Sequence, residues 1–356
     1  MSPNRTIGIL GGGQLARMLA IAAADLGLKI NIFCPDRDCP AAQVANNIVF
    51  GGYDDGEKLI DFAKNVDVLT YEFENIGTNA LKELEKIVAI RPSLKALQIS
   101  QDRYIEKSYL NSLNIKTTPF YKIDQIDDIQ KLFMRIKKPI LIKTRKLGYD
   151  GKGQVLVNTE NDIKKYFRGS TLSPSIAEEV MRFDKELSVI IVRDKAGNIK
   201  TFEPGENVHQ HGILVTTTLP PSISEFLKNE AGIISKKIVN DLDYVGVMGV
   251  EFFLKEHELF VNEIAPRVHN SGHWTMDGSY SNQFQQHIRA IMDLPLLTTE
   301  RHSDIVMYNL IGKVTNDLAN NELAKFYVYG KNQSRPGRKM GHVNLIKKKG
   351  SQTPLF

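Results

Sequence analysis

The hydrophobic pattern of the first hundred residues predicts strands that alternate with helices. The apolar run "TIGIL" is followed by "GGGQ" and then by "LARMLAIAAADLG", which has helical periodicity. Further apolar runs, "KINIFC", "NIVFG" and "VDVLTYEFE", are separated by amphipathic stretches such as "DDGEKLIDFAKN". Short buried strands that alternate with helices are typical of βαβ units, so this region is predicted to form a parallel sheet.

The pattern changes after "RPSLKALQIS", where hairpins replace the alternation. "PILIKTRKLGYDGKGQVLVN", "ELSVIIVRDKAGNIKTFEP" and "VGVMGVEFFLKEHELFVNEIAP" each have the pattern strand–turn–strand, and "SEFLKNEAGIISKKIVNDL" is a long amphipathic helix. Antiparallel strands mixed with helices indicate an α+β unit. After "DLPL" come short strands and a polar end. We therefore predict three domains, at 1–98, 99–295 and 296–356.

Composition narrows the class of protein without changing this picture. The 356 residues are 42% hydrophobic and 24% charged, as in ordinary globular proteins, and 46 basic against 41 acidic residues give a net charge of +5. That balance suits small anions and does not indicate nucleic acid. Cys34 and Cys39 are spaced as neither a disulfide framework nor a zinc site. With no secretory leader and no long apolar run, we expect a cytoplasmic protein that does not bind membranes.

The first glycine turn resembles a dinucleotide-binding fingerprint. Gly11, Gly13 and Ala16 fit G-x-G-x-x-A between a strand and a helix, and Asp36 follows twenty residues after Ala16. Glycines there let an anion approach the N–H groups of a helix N-terminus, whichever anion it is. An NAD(P)-dependent oxidoreductase is therefore one alternative, and a tight turn without a ligand is another.

Two glutamates are predicted to face each other across the last long hairpin. If that hairpin is centred on His257, residues whose numbers sum to 514 are opposite, and Glu251 and Glu263 meet this condition. Like charges at such positions repel, unless a divalent cation such as Mg²⁺ lies between them and also binds substrate phosphates. Asn262 adds a neutral oxygen. The alternative is an exposed strand face with the register shifted by one residue.

The loop "RKLGYDGKGQV" has the composition of a phosphate-binding flap. Three glycines, Gly148, Gly151 and Gly153, surround Lys152, and Lys143 precedes them on a strand. Backbone N–H groups and two cations could close over a phosphate chain and exclude water. The alternative is an ordinary hairpin turn, because Asp-Gly is a common turn pair.

Taken together, these motifs carry a resemblance that extends over most of the chain. "GILGGGQLARM", "YEFENI", "QDR", "GYDGKGQ", "NEIAPRVHNSGHW" and "RPGRKMGH" are similar to motifs of the 5-(carboxyamino)imidazole ribonucleotide synthetases, an ATP-grasp family of purine synthesis. The resemblance implies an α/β N-terminal (pre-ATP-grasp) domain, an ATP-grasp core with a mobile lid at about 110–180, and a small β-rich C-terminal domain. It also suggests a homodimer.

The resemblance further implies a reaction and its competitors. The enzyme would join bicarbonate to the amine of 5-aminoimidazole ribonucleotide through carboxyphosphate, with ATP as co-substrate, giving ADP and phosphate. The nearest alternative is a formate-dependent ribonucleotide transformylase of the same superfamily. A nucleotide-binding regulator without catalytic activity is a further alternative.

The binding residues that the resemblance implies fall into three groups. Mg²⁺, or Mn²⁺, would lie on Glu251 and Glu263. The ribonucleotide would contact Gly13, Gln14, Leu15, Arg335, Arg338 and Lys339, so the first glycine turn is reassigned from NAD. ATP would contact Arg103, Lys143, Gly148, Tyr149, Asp150, Gly151, Lys152, Gly153, Gln154, Glu178, Glu179, Val180, Met181, Glu186, His209, Asn262 and Glu263.

Candidate catalytic residues come from the flap and from two downstream motifs. Tyr149, Asp150, Lys152, Lys339 and Glu72 are candidates for handling the substrate amine and its proton; Asp150 or Glu72 would be the base. Strand alternation does not separate Glu72 from Glu74, and we favour Glu72. The residues expected to line the bicarbonate or CO₂ site are Arg267, His269 and His273.

The chain departs from the family pattern at the start of the flap. The family often has a second glycine where this chain has Leu147 before Gly148. We expect Leu147 to stiffen this part of the loop.

Overall fold

The N-terminal region forms a five-stranded parallel sheet with strand order β3-β2-β1-β4-β5, which confirms the predicted parallel sheet. The structure is a computed structural model and describes residues 5–148, 153–167, 172–312 and 321–350. The sheet and its helices are β1 (Thr6–Leu10), α1 (Gln14–Ala24), β2 (Lys29–Cys34), β3 (Asn47–Phe50), α2 (Gly56–Lys64), β4 (Val68–Tyr71), α3 (Thr78–Leu84) and β5 (Ala89–Ile90). The strand order reverses between β1 and β4, where ligands usually bind in such sheets.

Two helices lead from this sheet into a second, four-stranded sheet, which we call the lid (residues 120–179). The helices are α4 (Leu94–Ser100) and α5 (Arg103–Ser112). The lid has the order β6-β9-β7-β8 and is antiparallel. Its elements are β6 (Phe120–Ile123), α6 (Ile126–Ile136), β7 (Ile140–Thr144), β8 (Gln154–Val157), α7 (Glu160–Phe167) and β9 (Ser175–Glu179). Ile129, Ile140, Val157 and Ile163 belong to an apolar core of its own.

The strands described after residue 184 form one nine-stranded antiparallel sheet. Its path is β15-β14-β10-β12-β13-β16-β18-β17, and β11 pairs with β10. Its strands are β10 (Lys185–Arg193), β11 (Ile199–Thr201), β12 (Gly205–Gln210), β13 (Ile213–Leu219), β14 (Gly246–Lys255), β15 (Glu258–Ala265), β16 (Ser303–Ile311), β17 (Ala324–Val328) and β18 (Lys339–Lys348). The C-terminal strands thus extend the central sheet through the β13–β16 pairing and do not form a sheet of their own.

Three helices complete this part of the chain: α8 (Glu225–Asp241), α9 (Thr275–Gly278) and α10 (Gln283–Ile291). α10 packs against α1, and one apolar core includes Ala20 of α1, Ile288 of α10 and Met307 of β16. The N-terminal sheet is therefore fixed against the C-terminal strands, which places the carboxyl ends of β1 and β4 near β18. Within the described ranges, no helix combines the length and apolarity that crossing a membrane requires.

Candidate active site

A cleft of about 750 Å³ lies where the N-terminal sheet, the lid and the central sheet meet. Its walls come from the turn after β1, the segment after β4, the start of α5, strands β7 and β8 of the lid, the β14–β15 hairpin and Lys339 of β18. Most of the motifs singled out in the sequence therefore converge on one cavity.

The predicted pairing of Glu251 with Glu263 is present, but the turn and the strand register that produce it differ from those predicted. The turn holds two residues, Glu256 and His257, so from Lys255↔Glu258 the paired numbers sum to 513. This register alone would place Glu251 opposite Asn262. A β-bulge shifts the register by one residue, so that Glu251 lies opposite Glu263. Cross-strand partners point to the same face, and both carboxylates line the cleft.

The carboxylate pair has the chemistry of a divalent-cation site. Burial, and then the nearby Glu263 carboxylate, raise the pKa of Glu251 to about 7, so negative charge is concentrated here. Asn262 offers an amide oxygen beside them. In the described part of the chain, no three His, Cys, Asp or Glu side chains group as a complete metal site. Mg²⁺ commonly takes one or two carboxylates and completes its shell with water and phosphate oxygens, so two carboxylates fit that ion.

Cations predicted to meet phosphates surround the same end of the cleft. Arg103 donates to Glu263 Oε2 at 3.2 Å and to the carbonyl oxygen of Gly148 at 3.1 Å. Lys143 Nζ lies 2.9 Å from Glu178 Oε2. These contacts bring one end of the flap, the lid and the hairpin together.

A second ion pair lies on the central sheet at this end. His209 Nδ1 is hydrogen-bonded to Glu186, and both side chains line the cleft. Burial alone would lower the pKa of His209, but the bond to Glu186 raises it above the usual value. A protonated His209 would therefore present positive charge to a bound anion.

Not every predicted ATP contact lines the cleft. Tyr149, Asp150, Gly151 and Lys152 lie outside the described residues; Gly153 is described, with a φ of +73°, and Gln154 lines the cleft. At the end of β9, the Glu179 carboxylate accepts a hydrogen bond from Tyr121, and Val180 and Met181 are not among the lining residues.

At the opposite end of the cleft, the first glycine turn already holds an anion, the carboxylate of Glu72. This carboxylate accepts hydrogen bonds from the backbone N–H of Gly13 and, at 3.0 Å, from that of Ala16. A Cβ on Gly11 would lie 2.2 Å from Glu72 Cγ, and Gly11 has a φ of +112°. The glycines thus make room for a side chain of this protein where a dinucleotide fingerprint would place a pyrophosphate. Burial raises the pKa of Glu72, and the two N–H groups hold part of that rise back.

Glu72 and Glu74, which alternation could not separate, have different partners. β4 ends at Tyr71, so the strand periodicity does not continue to them. Glu74 forms a bidentate pair with Arg267, at 2.5 Å to Nε and 3.2 Å to Nη2. Burial by itself would raise the pKa of Glu74, but Arg267 lowers it to about 2. Arg267 is therefore held in the cleft wall by a permanent counter-charge.

Of the two histidines predicted to line the bicarbonate site, only His269 lies in the cleft. Its Nε2 is 3.4 Å from Glu251 Oε1, and burial, Arg267 and Lys339 lower its pKa to about 3, so the ring is neutral. His273 is 0% exposed; its Nδ1 accepts from Gln283 Nε2 at 3.1 Å, and its ring packs near His342. This differs from the expectation, because the 3₁₀ turn Asn270–Gly272 redirects the chain into the core.

The basic turn "RPGRK" lies beside the Glu72 end of the cleft. Lys339 lines the cleft, Arg335 is exposed, and Arg338 donates to the carbonyl oxygen of Gln333 at 2.7 Å. Lys331, which none of the sequence motifs includes, donates to the carbonyl oxygen of Lys339 at 2.7 Å. Burial, and then Arg338, lower the pKa of Lys331 to about 8. Its signal was a lysine just after a glycine, four residues before the basic turn.

Three domain families match consecutive parts of the sequence. Residues 4–101 match the ribonucleotide synthetase preATP-grasp domain, and residues 108–284 match the ATP-grasp domain. Residues 305–353 match the phosphoribosylaminoimidazole carboxylase C-terminal domain.

Individual proteins are similar over nearly the whole chain. The N5-carboxyaminoimidazole ribonucleotide synthase of Brucella melitensis biotype 1 is 46% identical over 98% of both chains. An N5-carboxyaminoimidazole synthetase from Staphylococcus aureus, solved with ADP, superposes with a TM-score of 0.93 at 37% identity, covering 98% of this chain and 94% of that one. The synthase of Aspergillus clavatus, solved with ADP and 5-aminoimidazole ribonucleotide, has a TM-score of 0.90 at 31% identity, covering 98% and 95%.

Proposed function

Because this chain belongs to the N5-carboxyaminoimidazole ribonucleotide synthase family of ATP-grasp enzymes, we propose that ATP binds where the β14–β15 hairpin lines the cleft, which we call the hairpin end. We propose that 5-aminoimidazole ribonucleotide binds at the opposite end, beside the turn that holds Glu72, which we call the Glu72 end. The chain is an ATP-dependent ligase that forms a carbon–nitrogen bond, carboxylating the amine of that ribonucleotide in purine synthesis. We further propose its carboxyl donor, its metal ion and the roles of its individual residues.

At the hairpin end, the protein's task is to position and neutralise the triphosphate. Lys143, His209 and the flap would meet phosphate oxygens, and Glu251 with Glu263 and Asn262 would hold Mg²⁺. When bound, that ion would offset charge on the transferred phosphoryl group. The carboxylate pair supports this role because Arg103 pairs with Glu263 only, and Glu251 has no lysine or arginine partner among the described residues.

We propose bicarbonate as the carboxyl donor. ATP would phosphorylate it to carboxyphosphate with release of ADP, and carboxyphosphate would yield CO₂ and phosphate beside the amine. Arg267 offers a fixed positive charge to the bicarbonate or carboxyphosphate oxygens, since Glu74 holds it in place. His269, neutral and next to Glu251, would contribute a hydrogen-bond donor without adding charge.

At the Glu72 end, the cations after β17 would bind the ribonucleotide 5′-phosphate. Lys331, Arg338 and Lys339 provide a cluster for a dianion, and arginine can bind phosphate through two hydrogen bonds. Gly13, Gln14 and Leu15 form the adjoining wall. Glu72 stays our candidate to accept the amine proton, because it lines the cleft and its pKa is raised towards neutrality.

The single observation that carries this proposal is the cross-strand pair Glu251–Glu263 in a cleft that continues to the Glu72 turn. The test is ADP release by the purified protein with 5-aminoimidazole ribonucleotide, with and without bicarbonate. We expect release only when ATP, ribonucleotide and bicarbonate are all present. Release stimulated by formate and glycinamide ribonucleotide, and not by these substrates, would instead identify a transformylase.

We also propose that the enzyme works in the cytoplasm as a homodimer, as its family suggests. Sedimentation equilibrium checks the oligomeric state: a mass of twice 40.1 kDa is expected. A mass of one chain at micromolar concentration would contradict it.

A further inference from the structure

Two adjacent charged side chains of α5, Glu106 and Lys107, are buried. Their exposed fractions are 2% and 1%. Burying charged groups costs free energy unless hydrogen bonds and opposite charges surround them. A buried pair of this kind therefore indicates a structural or functional role. In the sequence, "RYIEKSYL" has helical character, but nothing in this local pattern indicates that two of its charged residues are buried.

Both side chains reach the same short segment of β15. Glu106 Oε1 accepts a hydrogen bond from the Ile264 N–H at 2.6 Å, and Lys107 Nζ donates to the Asn262 carbonyl oxygen at 3.1 Å. The residue between these two contacts is Glu263. The backbone on both sides of Glu263 is therefore bonded to α5.

This segment is where the hairpin changes register. The bulge leaves Asn262 without a cross-strand partner on β14, and β15 is the edge strand of its sheet. Backbone groups at a bulge on a sheet edge lack strand partners and need others. Lys107 supplies one to Asn262, and Glu106 supplies one to Ile264. Because side chains alternate along a strand, loss of the bulge would turn Glu263 away from Glu251.

Lys107 also connects this segment to the lid. Its Nζ lies 3.6 Å from Glu178 Oε1 on β9, while Glu178 Oε2 binds Lys143 at 2.9 Å. One buried ammonium group thus contacts both the hairpin strand β15 and the lid strand β9.

We propose that Glu106 and Lys107 are positioning residues that hold the β15 bulge and keep the Glu263 carboxylate opposite Glu251 for binding of Mg²⁺ with nucleotide. This inference rests on the proposed function, because it assumes a divalent cation at the carboxylate pair. Glu106 also lines the cleft at the start of α5, whereas Lys107 does not. Their effect is on the geometry of the metal ligands.

The test compares ADP binding by calorimetry in Mg²⁺ and in EDTA. The ratio of the two dissociation constants isolates the contribution of the metal from general damage to the nucleotide site. For Lys107→Met, which keeps the length of the side chain and removes the donor, we expect the Mg²⁺-dependent gain in affinity to fall by about 10- to 100-fold. Hydrogen exchange of the Ile264 amide should also become faster.

The matched control is Lys116→Met. Lys116 is an exposed lysine that pairs with Glu258 at 2.7 Å, at the other end of the same strand. It should leave the ratio unchanged within about twofold, because it does not contact the bulge.

Three outcomes are informative. If Mg²⁺ does not strengthen ADP binding to the unaltered protein, the metal assignment in the proposed function fails. If Mg²⁺ strengthens it equally in the unaltered protein and in folded Lys107→Met, this inference is overturned while the proposed function stands. Should Lys107→Met not fold, Glu106→Gln decides: it keeps one acceptor oxygen for Ile264 but replaces the other carboxyl oxygen with an NH₂ group, and we expect the gain to fall about 3- to 10-fold. An unchanged gain overturns the inference.

Discussion

The two ends of the cleft show opposite ways of handling negative charge. At the Glu72 end, a helix N-terminus offers N–H groups of Gly13 and Ala16, and the chain's own carboxylate accepts from both. At the hairpin end, Glu251 and Glu263 face each other, and burial with the neighbouring carboxylate raises the pKa of Glu251 to about 7. The helix N-terminus is thus satisfied by a carboxylate of the chain itself, whereas at the hairpin end only one of the two facing carboxylates, Glu263, pairs with an arginine.

The difference explains why one motif misleads and the other does not. A glycine turn before a helix predicts that some anion lies there, and here the chain itself supplies the anion. Two facing carboxylates predict a cation: Arg103 pairs with Glu263, but among the described residues no lysine or arginine forms an ion pair with Glu251. The charge that a site leaves unbalanced therefore indicates what it binds better than the motif does.

Neutralising Glu251 is the most direct test of the difference in charge between the two ends of the cleft. Glu251→Gln keeps the size of the side chain and removes one charge of the pair. We expect turnover to fall by about 10³-fold or more, because groups that stabilise charge on a transferred phosphoryl group contribute about 10³–10⁵ in kcat. Mg²⁺ should then no longer tighten ADP binding, which calorimetry measures.

Glu258→Gln is the control for that variant, since Glu258 is an exposed carboxylate of the same hairpin that pairs with Lys116. It should keep nearly full activity. Near-normal activity of Glu251→Gln, with the Mg²⁺ dependence retained, would contradict the metal assignment.

The Glu72 end is tested by Glu72→Gln, which we expect to act on two quantities. The free energy of unfolding should fall by about 1–2 kcal/mol, because the two carboxyl oxygens each accept from a backbone N–H, and an amide has only one oxygen for the two. Turnover of the folded variant should fall by about 10²-fold, in the range for loss of a general base. ADP affinity in Mg²⁺ should not change, since the hairpin end is intact. If stability falls and turnover does not, Glu72 only caps α1.

Local patterns predicted most of the fold. Strand and helix periodicities are read over a few residues, so the parallel sheet and the three hairpins could be predicted from the sequence. That the C-terminal strands join the central sheet could not be, because the pairing of β13 with β16 depends on contacts between distant segments.

The sequence predicts those features of the site that depend on residues close together in the chain. Glu251 and Glu263 were paired by assuming a hairpin centred on His257, but a two-residue turn and a bulge produce the pairing. The bulge has no local signature, because Lys107, which bonds to the Asn262 carbonyl, is 155 residues away in the sequence. For His273 the predicted placement is wrong: its motif is close to the site, but its side chain packs in the core.

A pH profile tests whether the Glu72 end of the cleft binds the 5′-phosphate of the ribonucleotide. Burial and nearby cations lower the pKa of Lys331 to about 8, so it is charged below pH 8 and becomes neutral above it. A neutral amine attracts phosphate less, so kcat/KM for 5-aminoimidazole ribonucleotide should fall about tenfold between pH 7 and pH 9. kcat/KM for ATP, measured at saturating ribonucleotide, should vary less. In Lys331→Met the fall near pH 8 should disappear, and its persistence would exclude Lys331 as the titrating group.

The smallest effect is expected where the flap begins, at Leu147. Its side chain is 70% exposed and its φ is +63°, a conformation that costs a residue with a Cβ roughly 1–2 kcal/mol and glycine almost nothing. Leu147→Gly removes this strain but increases the freedom that the flap loses on closing, and the two effects oppose each other. We therefore expect KM for ATP to change by no more than about threefold, with KM for the ribonucleotide unchanged. A change of more than about tenfold in KM for ATP would show that the leucine side chain itself contacts the nucleotide. Nucleotide binding at the hairpin end would then depend less on charge than we infer from the Glu251–Glu263 pair.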